Sequence, residues 1–381
     1  MRVAIDGSNI GNGGGLTTIV EVLRAAQPHR QGVSRVIFWG GAKTLEKIQD
    51  RPWLEKVHEP MLDRSFPLRR LWRKLLLQNL ASQKGCDLLF CPGGSYTGSF
   101  RPFVEMRQNM LPFAWLKALR HGISLIPLKL IRAQSPRTPA LEAAPGVIYL
   151  SGRGAQTICA PRTPEAIIFH GISADFFSAP RPQRRIENCS AADPFRILHV
   201  STLKVLQYQW RVAEAVVRLK REGLPVMLDI VGPAYRPSSK PFQNLLAKAD
   251  PNGMFIRCPG AIPHSMLSSL YRRSELFVYA SGCENIPWAL LEAMACGLPI
   301  ACSNRGPVAE MLKDACLYFD PESSEQIAAA MRELILDRCK RRQCSALAYR
   351  YAGSYRWERC ADHIFSFLSR FAARGDSSLF R

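Results

Sequence analysis

Apolar and polar positions along this chain follow two periods in turn. Short apolar runs of strand length stand at Val3–Ile5, Arg35–Trp39 and Asp87–Cys91, and Leu16–Ala26 carries its apolar residues at helical spacing. Val147–Ser151 reads as a strand opening into a helix around Ala155–Ile158, and Ala166–Phe169 as a strand leading to His170-Gly-Ile172. A polar, Pro-bearing stretch at 178–194 predicts a linker. Beyond it the alternation resumes. Strands are expected at Arg196–Val200, Val226–Val231, Met254–Arg257, Leu276–Tyr279 and Ile300–Ser303, with helices over Gln209–Glu222 and Ser265–Arg273. Strands alternating with helices predict an α/β fold with parallel sheets in two domains, 1–177 and 195–350.

Length and composition fit that picture. The chain has 381 residues, enough for two ordinary domains, and at 47% hydrophobic and 22% charged it is globular. Its net charge of +20 favours anionic partners. The basic residues fall beside Leu and Trp in helical register and not in a reader motif, which argues against nucleic acid. The twelve cysteines include no C-x-x-C pair, and Cys159, Cys258, Cys283, Cys296 and Cys302 sit in apolar segments. They read as buried free thiols of a reducing compartment. No apolar leader and no membrane-spanning run is visible, so the expected location is the cytoplasm.

The densest chemistry lies in Ser281-Gly-Cys-Glu-Asn-Ile-Pro-Trp-Ala-Leu-Leu-Glu-Ala-Met-Ala-Cys-Gly-Leu-Pro-Ile300. Asn285 is placed to cap a helix, Pro287 suits its first turn, and Gly297 and Pro299 close it. Glu284 precedes the helix and Glu292 lies within it. Free N–H groups at the helix start beside a carboxylate suit a phosphate joined to a sugar. A second candidate is the turn Asp6-Gly-Ser-Asn-Ile-Gly-Asn-Gly-Gly-Gly-Leu16. Either Gly13, Gly14 and Gly15 let the backbone approach a ligand, or the loop is merely flexible. A dinucleotide fingerprint fails, because Leu16 stands where its last Gly belongs and the second strand ends without an acid. No D-x-D occurs, so no metal cofactor is expected.

The 281–300 segment resembles the E-x7-E segment of family 4 retaining glycosyltransferases, which have two Rossmann-like domains facing a central cleft, the GT-B fold. Further stretches resemble the subgroup acting on O-antigen and related surface polysaccharides: Arg107-Gln-Asn-Met-Leu-Pro-Phe113, Ile197 onward to Gly232, Ser303–Glu310 and Tyr318–Pro321. The resemblance implies that Glu284 contacts the donor sugar and Glu292 the nucleotide ribose, with Asn285, Ile286, Pro287, Trp288 and Ser201 around the donor. It implies catalytic positions at Glu284 and Asn109, and a glycine turn (Gly14, Gly15) near the donor diphosphate. Where the family has a phosphate-binding Lys, this chain has Gln207. Lys204 and Arg211 are the replacements in reach, or else ordinary surface charge. His170, at a strand end by the cleft, is either structural or catalytic. The family's C-terminal helix packs back on the first domain, which here implies 351–381.

One helix stands apart. Leu68, Leu71, Trp72, Leu75 and Leu76 share a face, and Arg69, Arg70, Arg73 and Lys74 lie away from it. Such a helix lies on an anionic bilayer or packs on its own domain. Leu111–Ile131 repeats the pattern. The expectation is a retaining, metal-independent glycosyltransferase, peripheral on the cytoplasmic face of the inner membrane. Its donor would be a nucleotide-sugar, GDP-mannose by subgroup resemblance, and its acceptor lipid-linked or a polysaccharide. The alternatives are a non-catalytic glycan- or lipid-binding partner of the same fold and a nucleotide-sugar epimerase.

Overall fold

The computed structural model describes residues 1–373 apart from 12, 95, 109–145, 153–154, 157–164, 202–206, 234–235 and 283–286. Two compact units emerge. One takes the chain up to Gly171 and takes it up again at Trp357; the other is Ile172–Arg356.

The first unit is built on a parallel sheet: β1 (Arg2–Asp6), β2 (Arg35–Gly40), β3 (Leu54–His58), β4 (Leu88–Cys91), β5 (Phe103–Arg107), β6 (Gly146–Tyr149) and β7 (Glu165–Ile167). The order is β3-β2-β1-β4-β5-β6-β7, so the winding reverses at β1. Ala4, Ile37, Trp39, Leu89, Phe103, Val147 and Tyr149 bury one core with Trp72, Leu77 and Ala81 of the helices Phe66–Leu75 and Leu77–Gln83. The final helix, Trp357–Ala373, belongs to this unit and begins after a break at 353–356. Gly171 must be glycine, since a Cβ there would lie 2.3 Å from the backbone N of Trp357.

The second unit carries β8 (Phe195–Val200), β9 (Val226–Val231), β10 (Ile256–Gly260), β11 (Leu276–Tyr279), β12 (Ile300–Ser303) and β13 (Leu317–Phe319), all parallel, in the order β10-β9-β8-β11-β12-β13. Its switch point lies between β8 and β11. Phe195, Ile197, Leu228, Ile230 and Val278 pack on Val212, Val216 and Leu219 of the helix Gln209–Arg221, and on Ile327, Met331 and Leu334 of Ser324–Leu336. The fully buried Arg341 closes that last helix by donating to the carbonyls of Leu334 (2.6 Å) and Ile335, with its guanidinium 5.2 Å over the Phe195 ring.

Several expected boundaries move. The unit border falls at 171/172, and residues 173–194 belong to the second unit, with short 3-10 turns at Ala174–Phe176 and Ile186–Asn188. Strand β10 starts at Ile256 because the Asp250 carboxylate takes the N–H groups of Met254, Phe255 and Ile256 at 2.7–2.9 Å. That carboxylate caps a turn where a strand was expected. Cys258 on β10 is exposed, contrary to the expectation of burial, whereas Cys296 and Cys302 are buried free thiols.

Candidate functional site

In the second unit a cavity of about 320 Å³ opens at the carboxyl ends of the central strands. Its lining includes Ser201 after β8, Gly232 after β9, Ile262 after β10, and Trp288 and Glu292 of the helix Trp288–Ala295. Carboxyl ends beside a switch point are where open parallel sheets hold ligands. The helix starts at Trp288, with Pro287 at the capping position and not inside the first turn. Leu290 and Leu291 both donate to the Pro287 carbonyl, so the N–H groups of Trp288 and Ala289 precede the first intrahelical bonds. Gly297 ends the helix with φ +63°, and its Cα hydrogens face Pro180, which a Cβ would approach to 2.9 Å.

Glu292 is buried, and its two oxygens are separately engaged. Oε2 accepts from the Tyr271 hydroxyl at 2.9 Å, and Oε1 lies 3.0 Å from His264 Nε2. Both partners stand on the helix His264–Arg273. Phe176 packs its ring 5.2 Å from His264 and 6.0 Å from Tyr271. Beneath the cavity, the buried His199 sits 2.9 Å from the Val278 carbonyl through Nδ1, so Nδ1 carries the proton and Nε2 accepts from the Ser201 hydroxyl at 2.9 Å. Burial pushes His199 down to about 4, which keeps this tautomer neutral near pH 7. Ser201 thus turns its proton inward and presents lone pairs outward. Gln207 is buried, and Arg211 makes a surface pair with Glu214 at 2.8 Å. Glu284, Asn285, Ile286 and Lys204 lie outside the described residues, as does Asn109.

In the first unit the glycine turn follows β1, again at the reversal of strand order. Gly13 has φ +67° and opens the helix Gly13–Ala25, while a Cβ on Gly15 would meet Gln108 Oε1 at 3.3 Å. The Thr18 hydroxyl donates to the Gly14 carbonyl at 2.7 Å and therefore accepts from His170 Nε2 at 3.2 Å. Burial lowers His170 to about 3, so it acts as a neutral donor behind the turn. That is a positioning arrangement; the ring is fully buried and 5.8 Å from Trp357.

Comparison with known proteins attaches a family to the cavity. Residues 181–351, which include every residue of its lining, match the family described as "Glycosyl transferases group 1". This segment is similar to that family over about 45% of the chain. The chain is 35% identical over 106 residues to O-antigen chain mannosyltransferase B of Escherichia coli, a match spanning 28% of each protein. Sucrose-phosphate synthase from Thermosynechococcus elongatus superposes with a TM-score of 0.74 at 15% identity, covering 98% of this chain and 100% of that one. Anabaena HepE, crystallised with UDP, gives 0.70 at 18% identity, covering 97% and 99%. The fold is GT-B: two Rossmann-like units with parallel sheets of seven and six strands.

Sequence reasoning did not find Tyr271, His264 or Phe176 around Glu292. It also misread part of the helix Phe66–Leu75. Trp72, expected to contact a membrane, is fully buried, and Arg73 points inward, donating to the Gly94 carbonyl at 3.2 Å with Asp6 Oδ2 at 3.8 Å. Arg69 is half-buried and reaches the Ser8 carbonyl at 3.4 Å. The remainder faces outward: Phe66, Leu68, Leu71, Leu75 and Leu76 are 42–55% exposed, with Arg70 and Lys74 exposed among them. Leu111–Ile131 lies outside the described residues. Among the described residues no helix is long and apolar enough to cross a membrane, and no group of three or more His, Cys, Asp or Glu could hold a metal ion.

Proposed function

We propose that the chain is a retaining glycosyltransferase that transfers a sugar from a nucleotide-sugar, GDP-mannose by subgroup resemblance, to a lipid-linked or polysaccharide acceptor. The supporting observation is Glu292: a carboxylate held from behind by Tyr271, at the strand-end cavity of the segment that matches the group 1 family, beside a helix start. In this reading Glu292 accepts from the nucleotide ribose. Glu284 and the first N–H groups of the helix orient the sugar and its diphosphate, Lys204 adds positive charge, and Ser201 accepts from a ligand hydroxyl or amide. The first unit holds the acceptor near the glycine turn and Asn109. The acceptor hydroxyl attacks the anomeric carbon on the face that the nucleotide leaves. Fixed dipoles and side chains, not a metal, neutralise the leaving diphosphate; retention and metal independence rest on the family resemblance and the lack of D-x-D.

The same reading places the protein on the cytoplasmic face of an anionic membrane, through the outer face of Phe66–Leu75. Exposed leucines flanked by Arg70 and Lys74 suit the acyl and headgroup layers respectively.

Gln207 favours one rival, a non-catalytic binding partner, because a neutral amide cannot replace a lysine at a diphosphate. The test is transfer or hydrolysis of UDP-, GDP- and dTDP-sugars by the purified chain. Glu292→Gln and Glu284→Ala should each reduce turnover by a hundredfold or more while keeping the melting point. Full activity in both would refute the site; ligand binding without turnover in the unaltered chain would leave the binding partner.

A further inference from the structure

We propose that the second unit binds a phosphate-bearing small molecule at the amino ends of its strands, in a cavity at the opposite end of the sheet from Glu292. The site is independent of the donor-site reading above, since none of its lining residues lines the Glu292 cavity.

A cavity of about 430 Å³ lies where β8, β11 and β12 begin. Its lining includes Arg196, the second residue of β8, Glu275, the residue before β11, and Leu298 and Pro299, which lead into β12. Arg273 at the end of the helix His264–Arg273, with Arg181 and Arg184 of the segment 173–194, completes a basic wall.

Charge carries the argument. Four guanidinium groups share this cavity with two carboxylates, and one guanidinium engages both acids. Arg184 pairs through Nε with Glu275 Oε1 at 2.7 Å and through Nη1 with Asp193, and its Nη2 donates to the Pro194 carbonyl at 2.8 Å. Glu275 Oε2 accepts the backbone N–H of Arg196 at 2.7 Å. Arg181 donates to a neutral acceptor, the Ser274 carbonyl. The Arg196 and Arg273 guanidiniums make no ion pair among the described residues; Asp229, in the neighbouring cavity that Arg273 also lines, pairs with neither. Three cations thus converge without an acid at pairing distance. They repel one another, and a dianion between them would replace repulsion with attraction. Guanidinium forks meet phosphate oxygens two at a time.

Size and walls set the rest of the ligand class. The volume exceeds that of a bare phosphate and falls within the range of small-molecule sites. Leu298, Pro299 and Pro182 supply apolar wall for a body the size of a sugar ring. The basic segment is also fixed in advance. The Gln183 carbonyl accepts from Arg338 Nε at 2.8 Å and the Arg184 carbonyl from Arg341 Nη2, which ties this backbone to the helix Arg338–Ala352. The fit is to a phosphomonoester on a sugar-sized body.

The experiment is calorimetric titration of the full chain with glucose 6-phosphate and with inorganic phosphate at about 0.15 M salt, where diffuse surface charge is largely screened. Glucose 6-phosphate should bind about tenfold or more tightly than inorganic phosphate, and equally well with UDP or GDP at saturation. Arg196→Gln and Arg273→Gln should each weaken it about tenfold, because each removes a charged donor to the phosphate. Arg342→Gln, which removes an exposed cation outside the cavity, should change it by less than about twofold. Without ligand, the double variant of Arg196 and Arg273 should melt at or above the temperature of the unaltered chain, since repulsion is relieved. Absence of binding, displacement by UDP or GDP, or equal losses in Arg342→Gln and the cavity variants would each overturn the site. A lower melting point in the double variant would do so too, by showing that these guanidiniums already serve the fold. Equal affinity for inorganic phosphate would overturn the sugar-sized body.

Discussion

At Glu292 each carboxylate oxygen has a donor within 3.0 Å, and an aromatic ring is packed behind the pair. On the outer face of Phe66–Leu75, Arg70 and Lys74 meet no acid among the described residues. Five of the ten large apolar side chains exposed among those residues fall within 66–76. The first region has fixed its polar groups in advance, so a ligand pays little reorganisation there. The second holds charge and apolar area side by side without acidic partners among the described residues, and the proposed reading gives it a fluid surface that supplies both. Under the proposed reading, shape would select in the first, and composition and salt in the second.

The strongest test of this contrast lies within one helix. Trp72 and Leu71 are neighbours, yet Trp72 is fully buried and Leu71 is 47% exposed. Trp72→Ala should cost about 3–5 kcal/mol of stability, as core aromatic truncations do. Leu71→Ser with Leu75→Ser should leave stability within about 0.5 kcal/mol. The same pair should weaken binding to acidic vesicles by about 2 kcal/mol, roughly 30-fold, for the apolar area no longer buried. Chemical denaturation and vesicle flotation read the two quantities separately. Loss of stability in the leucine pair would make this face part of a core.

Acid should act on the preorganised regions. His170 and His199 are buried and neutral, lowered to about 3 and about 4 from an ordinary 6.5. Below 6.5 the unfolded chain takes up protons that the folded chain refuses. The stability is therefore complete above about pH 6.5 and declines as the pH falls toward 4 and then 3. Each histidine withdraws up to about 1.4 kcal/mol per pH unit. Melting curves at pH 7, 6 and 5 should show this decline, and His199→Gln should flatten it. An unchanged slope in that variant would mean His199 is charged in the folded protein.

The contrast also explains what the sequence made legible. Strand β12 begins and ends where its apolar run does, Ile300–Ser303, because both faces of a central parallel strand are buried. Strands β3 and β5 were not visible. The first, Leu54-Glu-Lys-Val-His58, is an edge strand that alternates with charge. The second, Phe103-Val-Glu-Met-Arg107, buries Glu105 completely by pairing it with Arg107 at 2.7 Å. Such a pair sits on one face at i and i+2, and an apolar-run criterion rejects it. Glu292 could be picked out from its own segment. Tyr271 and His264 could not, since their role comes from contacts made across 21 and 28 residues of chain. Trp72 failed for a different reason: a helix wheel assigns a face but does not say which neighbouring element will cover part of it.

The smallest expected effect separates charge from apolar area on the outer face of Phe66–Leu75. Arg70 and Lys74 are exposed and without acidic partners among the described residues, so their substitution disturbs nothing folded. Near an anionic surface each is worth about 1 kcal/mol, or about fivefold in partitioning. Arg70→Gln and Lys74→Gln together should therefore weaken binding to vesicles containing acidic lipid by about 25-fold at low salt. With a Debye length of about 10 Å at 0.1 M and about 3 Å at 1 M, that difference should collapse as salt is raised. The leucine pair should keep its deficit at high salt, because apolar burial is not screened. If neutral and acidic vesicles bind the unaltered chain equally, the two cations are ordinary surface charge, and the exposed leucines need an apolar partner of another kind.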